Sequence, residues 1–265
     1  MVVHEVSLKH GDQPGRVWIY LPAKMPKTKI PCVFIAPAGV PPIVGAGFGS
    51  DVAAQRNPEH LPYVHAGFAV VAYELDGDIS DREEPTFEEV QRAATAFMNA
   101  DAGMVNARHA MDYALKMIPN IDPQRLYSAG HSSAGRISLL LAETDPRIAA
   151  CLAYAPVTDS EARAKKIVPD AVEYLDENLP GFRAFLQESS PLQQAAKLRV
   201  PTFILHSEED ERIPVADTEK FVDVLKKTNA HVTFIRAQHG GHYDSMIDEG
   251  VPKGIEWLEK LSLRE

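Results

Sequence analysis

Short apolar runs of strand length alternate with longer stretches of helical periodicity along most of the chain. Val2–Leu8 and Arg16–Leu21 show a strand-like pattern and predict an N-terminal antiparallel pair. Core strands are predicted near residues 31–36, 67–74, 125–129, 148–154, 202–206 and 231–236. Such alternation predicts an α/β fold whose mostly parallel, eight-stranded sheet is covered by helices on both faces. Thr86–Ile118 reads as a long helical region that Gly103 is placed to break, and residues 160–190 read as a small helical insertion before the 202–206 strand. No internal repeat or low-complexity tract intervenes, so the 265 residues are expected to form one domain, 1–265.

The run Ile121-Asp-Pro-Gln-Arg-Leu-Tyr-Ser-Ala-Gly-His-Ser-Ser-Ala-Gly135 reads as a strand that turns abruptly into a helix with serine at the apex. A serine hydroxyl is a poor nucleophile at neutral pH. A sharp strand-to-helix turn exposes Oγ and aims backbone N–H groups at a developing oxyanion. Crowding in such a turn requires small residues two before and two after the nucleophile. With Ser132 at the apex these are Gly130 and Ala134; with Ser133 they are His131 and Gly135, and an imidazole has to fit where the turn closes. Ser132 is therefore the candidate nucleophile, and the N–H of Ser133 one oxyanion donor.

An acid and a histidine should follow in that order. Val200-Pro-Thr-Phe-Ile-Leu-His206 reads as a buried strand, and the next loop holds four acids, Glu208, Glu209, Asp210 and Glu211. Asp210, about four residues past the strand and just before Arg-Ile-Pro, is the favoured acid, with Glu209 next. After the last strand come His239 and His242. The Gly240-Gly241 pair lets this loop fold back over a site, which favours His242. The expected roles are proton transfer by His242 and orientation of its imidazole by Asp210.

The segments Ile121-Asp-Pro-Gln-Arg, Gly130-His-Ser-Ser-Ala-Gly, Tyr154-Ala-Pro-Val-Thr-Asp159, Ser190-Pro-Leu and Val200–His206 together resemble the α/β-hydrolase superfamily. Within it they resemble the catalytic domain of the prolyl oligopeptidase group and its dienelactone-hydrolase-like and esterase relatives. The resemblance covers roughly residues 30–265. It implies the α/β-hydrolase fold, a Ser132–Asp210–His242 triad, no cofactor and no metal. It also implies that the 160–190 insertion is lid-like. Peptidases of that group carry a propeller ahead of the hydrolase domain, whereas only about 30 residues precede the first core strand here, so the resemblance leans to a free-standing esterase. Dienelactone hydrolases use a cysteine nucleophile, whereas this elbow has serine. Where many relatives have His-Gly-Gly after the first core strand, this chain has Pro37-Ala38-Gly39. Pro37 has no N–H, so the second oxyanion donor is expected from Ala38 or Gly39, unless the segment is simply a proline-rich turn.

In the insertion, Tyr174, Leu175, Phe182 and Phe185 are placed either to line an acyl or aromatic pocket or to fasten the helices to the core. Ile43–Ser50 is glycine-rich but lacks the Lys-Ser/Thr of a phosphate loop, and reads as a flexible rim of the site. His60 and His65 have no evident metal-ligand partner. Cys32 and Cys151 sit in apolar runs, too few for a disulfide framework or a metal site. A net charge of −10 argues against nucleic-acid and anionic-membrane partners. No apolar stretch reaches the ~18 residues of a membrane span. The start lacks a signal peptide, which favours a cytoplasmic location, with a removed secretion leader as the alternative. The leading expectation is a carboxylesterase acting on small or medium esters through an acyl-enzyme. A peptidase or amidase of the prolyl oligopeptidase type is the runner-up, without a Glu-Glu helix motif to grip a substrate N-terminus. A non-catalytic hydrolase-fold binding protein is disfavoured because all three triad roles can be filled in order. The expected partner is a small-molecule ester; oligomeric state, a homodimer included, is not legible.

Overall fold

A computed structural model describes residues 1–10, 13–48 and 58–262. The chain runs through β1 (Val2–His10), β2 (Gln13–Leu21), β3 (Ile30–Ile35), α1 (Leu61–His65), β4 (Ala69–Tyr73), α2 (Phe87–Asn99), α3 (Met104–Met117), β5 (Ile121–His131) and α4 (Ser133–Thr144). It continues through β6 (Ile148–Tyr154), α5 (Ser160–Ile167), α6 (Pro169–Asn178), α7 (Phe182–Glu188), α8 (Pro191–Gln194), β7 (Thr202–Ser207), α9 (Val215–Leu225), β8 (Val232–Ala237) and α10 (Val251–Ser262). The eight strands form one open sheet in the order β1-β2-β4-β3-β5-β6-β7-β8. β1 and β2 pair antiparallel, as does β2 with β4, and every other pairing is parallel. This is the α/β-hydrolase architecture that the sequence resemblance implies.

The central strands are apolar on both faces because both are covered. Along β3, Val33 and Ile35 pack with Tyr63, Val64 and Leu258, while Cys32 and Phe34 belong to the opposite layer with Phe97, Met111 and Leu140. β5 is longer than the apolar run 125–129 suggests. Ile121 pairs with Ile30 and His131 with Tyr154, so neighbouring strands supply ladder partners beyond the hydrophobic segment. The helical region 86–118 divides as expected. A Thr86–Glu89 capping box opens α2, and the break falls at Asp101–Gly103, all three at positive φ, with Gly103 at φ 85°. A Cβ at Gly103 would lie 2.5 Å from Leu75 Cδ2, so the turn needs glycine for space as well as for conformation.

The glycine-rich segment does not form the flexible rim expected of it. Ile43, Val44 and Ala46 are buried, the Gly45 N–H donates to Gly77 O at 3.2 Å, and a Cβ at Gly45 would overlap Asp76 O. The glycines serve close packing against the chain leaving β4. Gly49 and Ser50, the end of that segment, lie outside the described residues.

Candidate active site

Ser132 joins β5 to α4 at φ 58°, ψ −120°, a conformation that costs a non-glycine residue roughly 1–3 kcal/mol. The flanking residues show why the turn has the composition it has. A Cβ on Gly130 would lie 2.3 Å from Ala134 O, and one on Gly135 would press on Pro156 at 3.0 Å. The turn is pinned from the neighbouring strand: the Ser132 N–H donates to Tyr154 O at 2.9 Å, and the Val157 N–H donates to Ser132 O at 3.1 Å. Ser133 is the first residue of α4, and its buried hydroxyl accepts the Gly39 N–H at 3.0 Å.

Asp210 lies in the loop after β7, and all its oxygens are engaged. Oδ1 accepts the N–H groups of Arg212 (2.8 Å) and Ile213 (2.9 Å). Oδ2 accepts from His242 Nδ1 at 2.6 Å and from His206 Nε2 at 3.0 Å. The side chain is fully buried. Burial disfavours its charge, but the hydrogen bonds from His206, His242 and Ile213 outweigh that cost and hold the carboxyl well below the usual range. His242 is 11 % exposed at its side chain. Its ring lies 4.5 Å from that of His131, tilted by 48°, and the His131 Nε2–H donates to the His242 carbonyl at 2.7 Å. Burial, with the nearby His242 ring, pulls the His131 pKa down to about 4. The imidazole of His242 is thus held beside the residue preceding Ser132. Ser132 Oγ and His242 are not hydrogen-bonded to each other in this arrangement.

The competing candidates lie elsewhere. Glu209 and His239 pair with each other at 2.9 Å on the surface, their side chains 55 % and 85 % exposed. Glu208 bonds Gln238 and Arg236, and Glu211 is exposed. Gly39 and Ala38 lie next to the elbow, Gly39 at φ 99° and with its N–H committed to Ser133.

The three aromatic residues named as a pocket lining do not surround a cavity. Phe182 and Phe185 are buried in the main core cluster, Phe185 edge-on to Phe97 at 5.8 Å. Tyr174 stacks on Phe87 at 4.8 Å and bonds Gln91 Oε1. An apolar helix face gives the same periodicity whether it meets a ligand or the core, and here it fastens the insertion to α2. Asp210 and His242 instead border an open, acid-lined space of about 860 Å³ with Glu208, Glu209 and Glu211, and a smaller cavity of about 270 Å³ lies between the chain leaving β6, α5 and the start of α9.

Sequence reasoning passed over His206. It is the next-to-last residue of β7, is fully buried, and its Nε2 faces two acceptors, Asp210 Oδ2 and Ile213 O, so Nε2 carries the proton; Thr218 Oγ1 lies 2.8 Å from Nδ1. A histidine closing an otherwise apolar strand four residues before the favoured acid was the available signal. His60 is buried against Tyr20 and Phe48 rings, with both ring nitrogens lacking a hydrogen-bond partner. Among the described residues no group of three His, Cys, Asp or Glu side chains is placed to hold a metal, and no helix is long and apolar enough to cross a membrane.

Residues 60–262 match the model of the prolyl oligopeptidase family. An uncharacterized peptidase of Bacillus subtilis, YuxL, is 28 % identical over 136 residues, 50 % of this chain; the chain covers 21 % of that relative's length. Among solved structures, Pyrococcus horikoshii acylaminoacyl peptidase superposes with a TM-score of 0.68 at 16 % identity, over 98 % of this chain and 40 % of that one. A Klebsiella pneumoniae protein assigned as a dienelactone hydrolase superposes with a TM-score of 0.62 at 19 % identity, over 98 % and 97 % of the two chains.

Proposed function

We propose, for a chain that belongs to the prolyl oligopeptidase family of serine hydrolases, that Ser132, His242 and Asp210 form its catalytic triad and hydrolyse small carboxylic esters. The observation that carries this reading is the 2.6 Å bond from His242 Nδ1 to a buried Asp210, beside an elbow that holds Ser132 at positive φ. With Nδ1–H donated to Asp210, Nε2 is the free basic nitrogen. Ser132 Oγ attacks the ester carbonyl carbon while Nε2 takes its proton, and the carbonyl π pair moves onto oxygen. Collapse breaks the acyl C–O bond, and the imidazolium returns that proton to the departing alkoxide. Water repeats the sequence on the acyl-enzyme, freeing the acid and Ser132. Unliganded sites commonly hold nucleophile and base beyond hydrogen-bond reach and close the pair on substrate.

The oxyanion faces the N–H of Ser133 at the start of α4. For the second donor, Gly39 already gives its N–H to Ser133 Oγ, so it serves only if that hydroxyl rotates away, whereas the N–H of Ala38 needs no such exchange.

Esters come first because they ask least of the site: a serine nucleophile that cleaves an acyl amide also cleaves the ester of the same acyl group. Peptide or amide hydrolysis is the second reading, favoured by the family and by the name of the B. subtilis relative. A panel pairing acyl esters with aminoacyl and prolyl amides of one leaving group decides between them. The ester reading expects higher kcat/KM on the acyl esters; preferential amide turnover reverses the order, and no turnover of any member rejects both.

A further inference from the structure

The 270 Å³ cavity beside the elbow differs in charge from the acid-lined space that Asp210 and His242 border. Its walls are tied to the proposed triad by backbone bonds. Val157 donates to Ser132 O at 3.1 Å, and Ile213 to Asp210 Oδ1 at 2.9 Å. Val157, Leu192 and Ile213 give it an apolar floor, while Arg163, Lys166 and Lys220 stand around it. The chain carries 27 Lys and Arg against 37 Asp and Glu, so a cationic surplus around a cavity is not what its overall composition would place there.

These cations are also unspent. Among the described residues, Arg16, Arg82, Arg108, Arg125, Arg147, Arg183, Arg236, Lys165, Lys253 and Lys260 are in ion pairs with acids, while Arg163, Lys166 and Lys220 are in none. Arg163 Nη1 donates to Arg212 O at 2.7 Å, which leaves the other edge of its guanidinium available. Two acids share the wall. Asp159 is engaged as the cap of α5, accepting the Ala162 N–H at 3.0 Å, and Asp217 sits in the first turn of α9, where its charge acts on Arg163 after that of Asp210, which lies outside the wall. Three cations therefore stand against two acids, one of them already bonded to a helix terminus.

Resting on the ester-hydrolase reading above, we infer that this cavity receives the acyl part of the substrate and that its basic rim selects acyl chains ending in a carboxylate. The class is a half-ester of a short dicarboxylic acid: methylenes lie on Val157, Leu192 and Ile213, and the distal carboxylate meets Arg163 and the lysines. Exposed contacts of this kind are weak and screened by salt, so a preference of about tenfold is expected from the three cations together.

The test compares mono-4-nitrophenyl adipate with 4-nitrophenyl hexanoate, which has the same acyl length and no charge, after subtracting spontaneous hydrolysis. The expected kcat/KM ratio is about ten in favour of adipate at low salt. It should fall toward one at about 0.5 M sodium chloride, where the screening length shrinks to a few ångströms. The Lys166→Gln, Lys220→Gln double variant should lower the low-salt ratio severalfold. Hexanoate hydrolysed as well as adipate at low salt overturns the anion preference and leaves the esterase reading standing, as does a preference indifferent to salt. Turnover of neither ester overturns the esterase reading, and this inference with it. The salt titration needs only the parent protein, so a double variant that fails to fold does not remove the test.

Discussion

Gly39 donates its backbone N–H to the hydroxyl of Ser133 at 3.0 Å, joining two residues 94 positions apart. The bond holds the loop after β3 against the elbow, and it occupies a donor that an oxyanion could otherwise use. Ser133→Ala removes the hydroxyl but keeps the N–H at the start of α4. Turnover of 4-nitrophenyl esters should therefore stay within about tenfold of the parent, a loss of no more than one hydrogen bond's worth of stabilisation. A collapse as deep as that of a nucleophile variant would instead mark Ser133 as the attacking residue.

His206 shares Asp210 Oδ2 with His242, and this predicts a positioning role. His206→Leu should lower kcat about tenfold, the cost of one hydrogen bond to a charged group, with a smaller change in KM. With one donor fewer, the carboxylate stabilises the His242 imidazolium more strongly. The acidic limb of the kcat/KM profile should therefore move to higher pH. A variant that loses thermal stability while its pH profile stays in place would show His206 to be structural only.

Burial of His131 links stability to pH. Its pKa is about 4 in the folded protein against the ordinary 6.5. The unfolded chain therefore takes up a proton near pH 6.5 that the folded state refuses until about pH 4. This contribution is complete above pH 6.5 and is lost as pH falls toward 4, while His60, lowered to about 3 by burial, acts in the same direction. Urea denaturation of the parent should show a marked loss between pH 7 and 4.5. His131→Gln should lose about 2 kcal/mol less over that interval; an identical loss would contradict the assignment.

Phe182 separates core from pocket. It is 1 % exposed and packs with Phe185, so Phe182→Ala should cost about 3–5 kcal/mol of stability. KM for small esters should be little changed below the lowered melting temperature. A large KM effect with unchanged stability would return this side chain to the substrate pocket.

Much of this arrangement could be read from residue order alone. Positions bounded by local sterics were the most legible. Gly130 and Gly135 are small because the elbow leaves 2.3–3.0 Å where a Cβ would sit, and buried β-branched runs such as Val70–Val71 mark strands whatever their neighbours. What depends on partners distant in the chain was not legible. The insertion of β4 between β2 and β3, the Gly39–Ser133 bond and the direction in which Phe182 points are all decided by contacts between separate segments. The acid loop lies between these cases: four carboxylates offered themselves, and only the turn that lends two backbone N–H groups to Asp210 sets it apart.

The central claim, that Ser132 is the nucleophile, is tested most directly by fluorophosphonate labelling with peptide mapping, alongside turnover by Ser132→Ala. One adduct on Ser132, absent from the variant, together with loss of at least about 10³-fold in kcat, is the predicted result. Labelling that maps to another residue, or a variant that hydrolyses esters as fast as the parent, would contradict it.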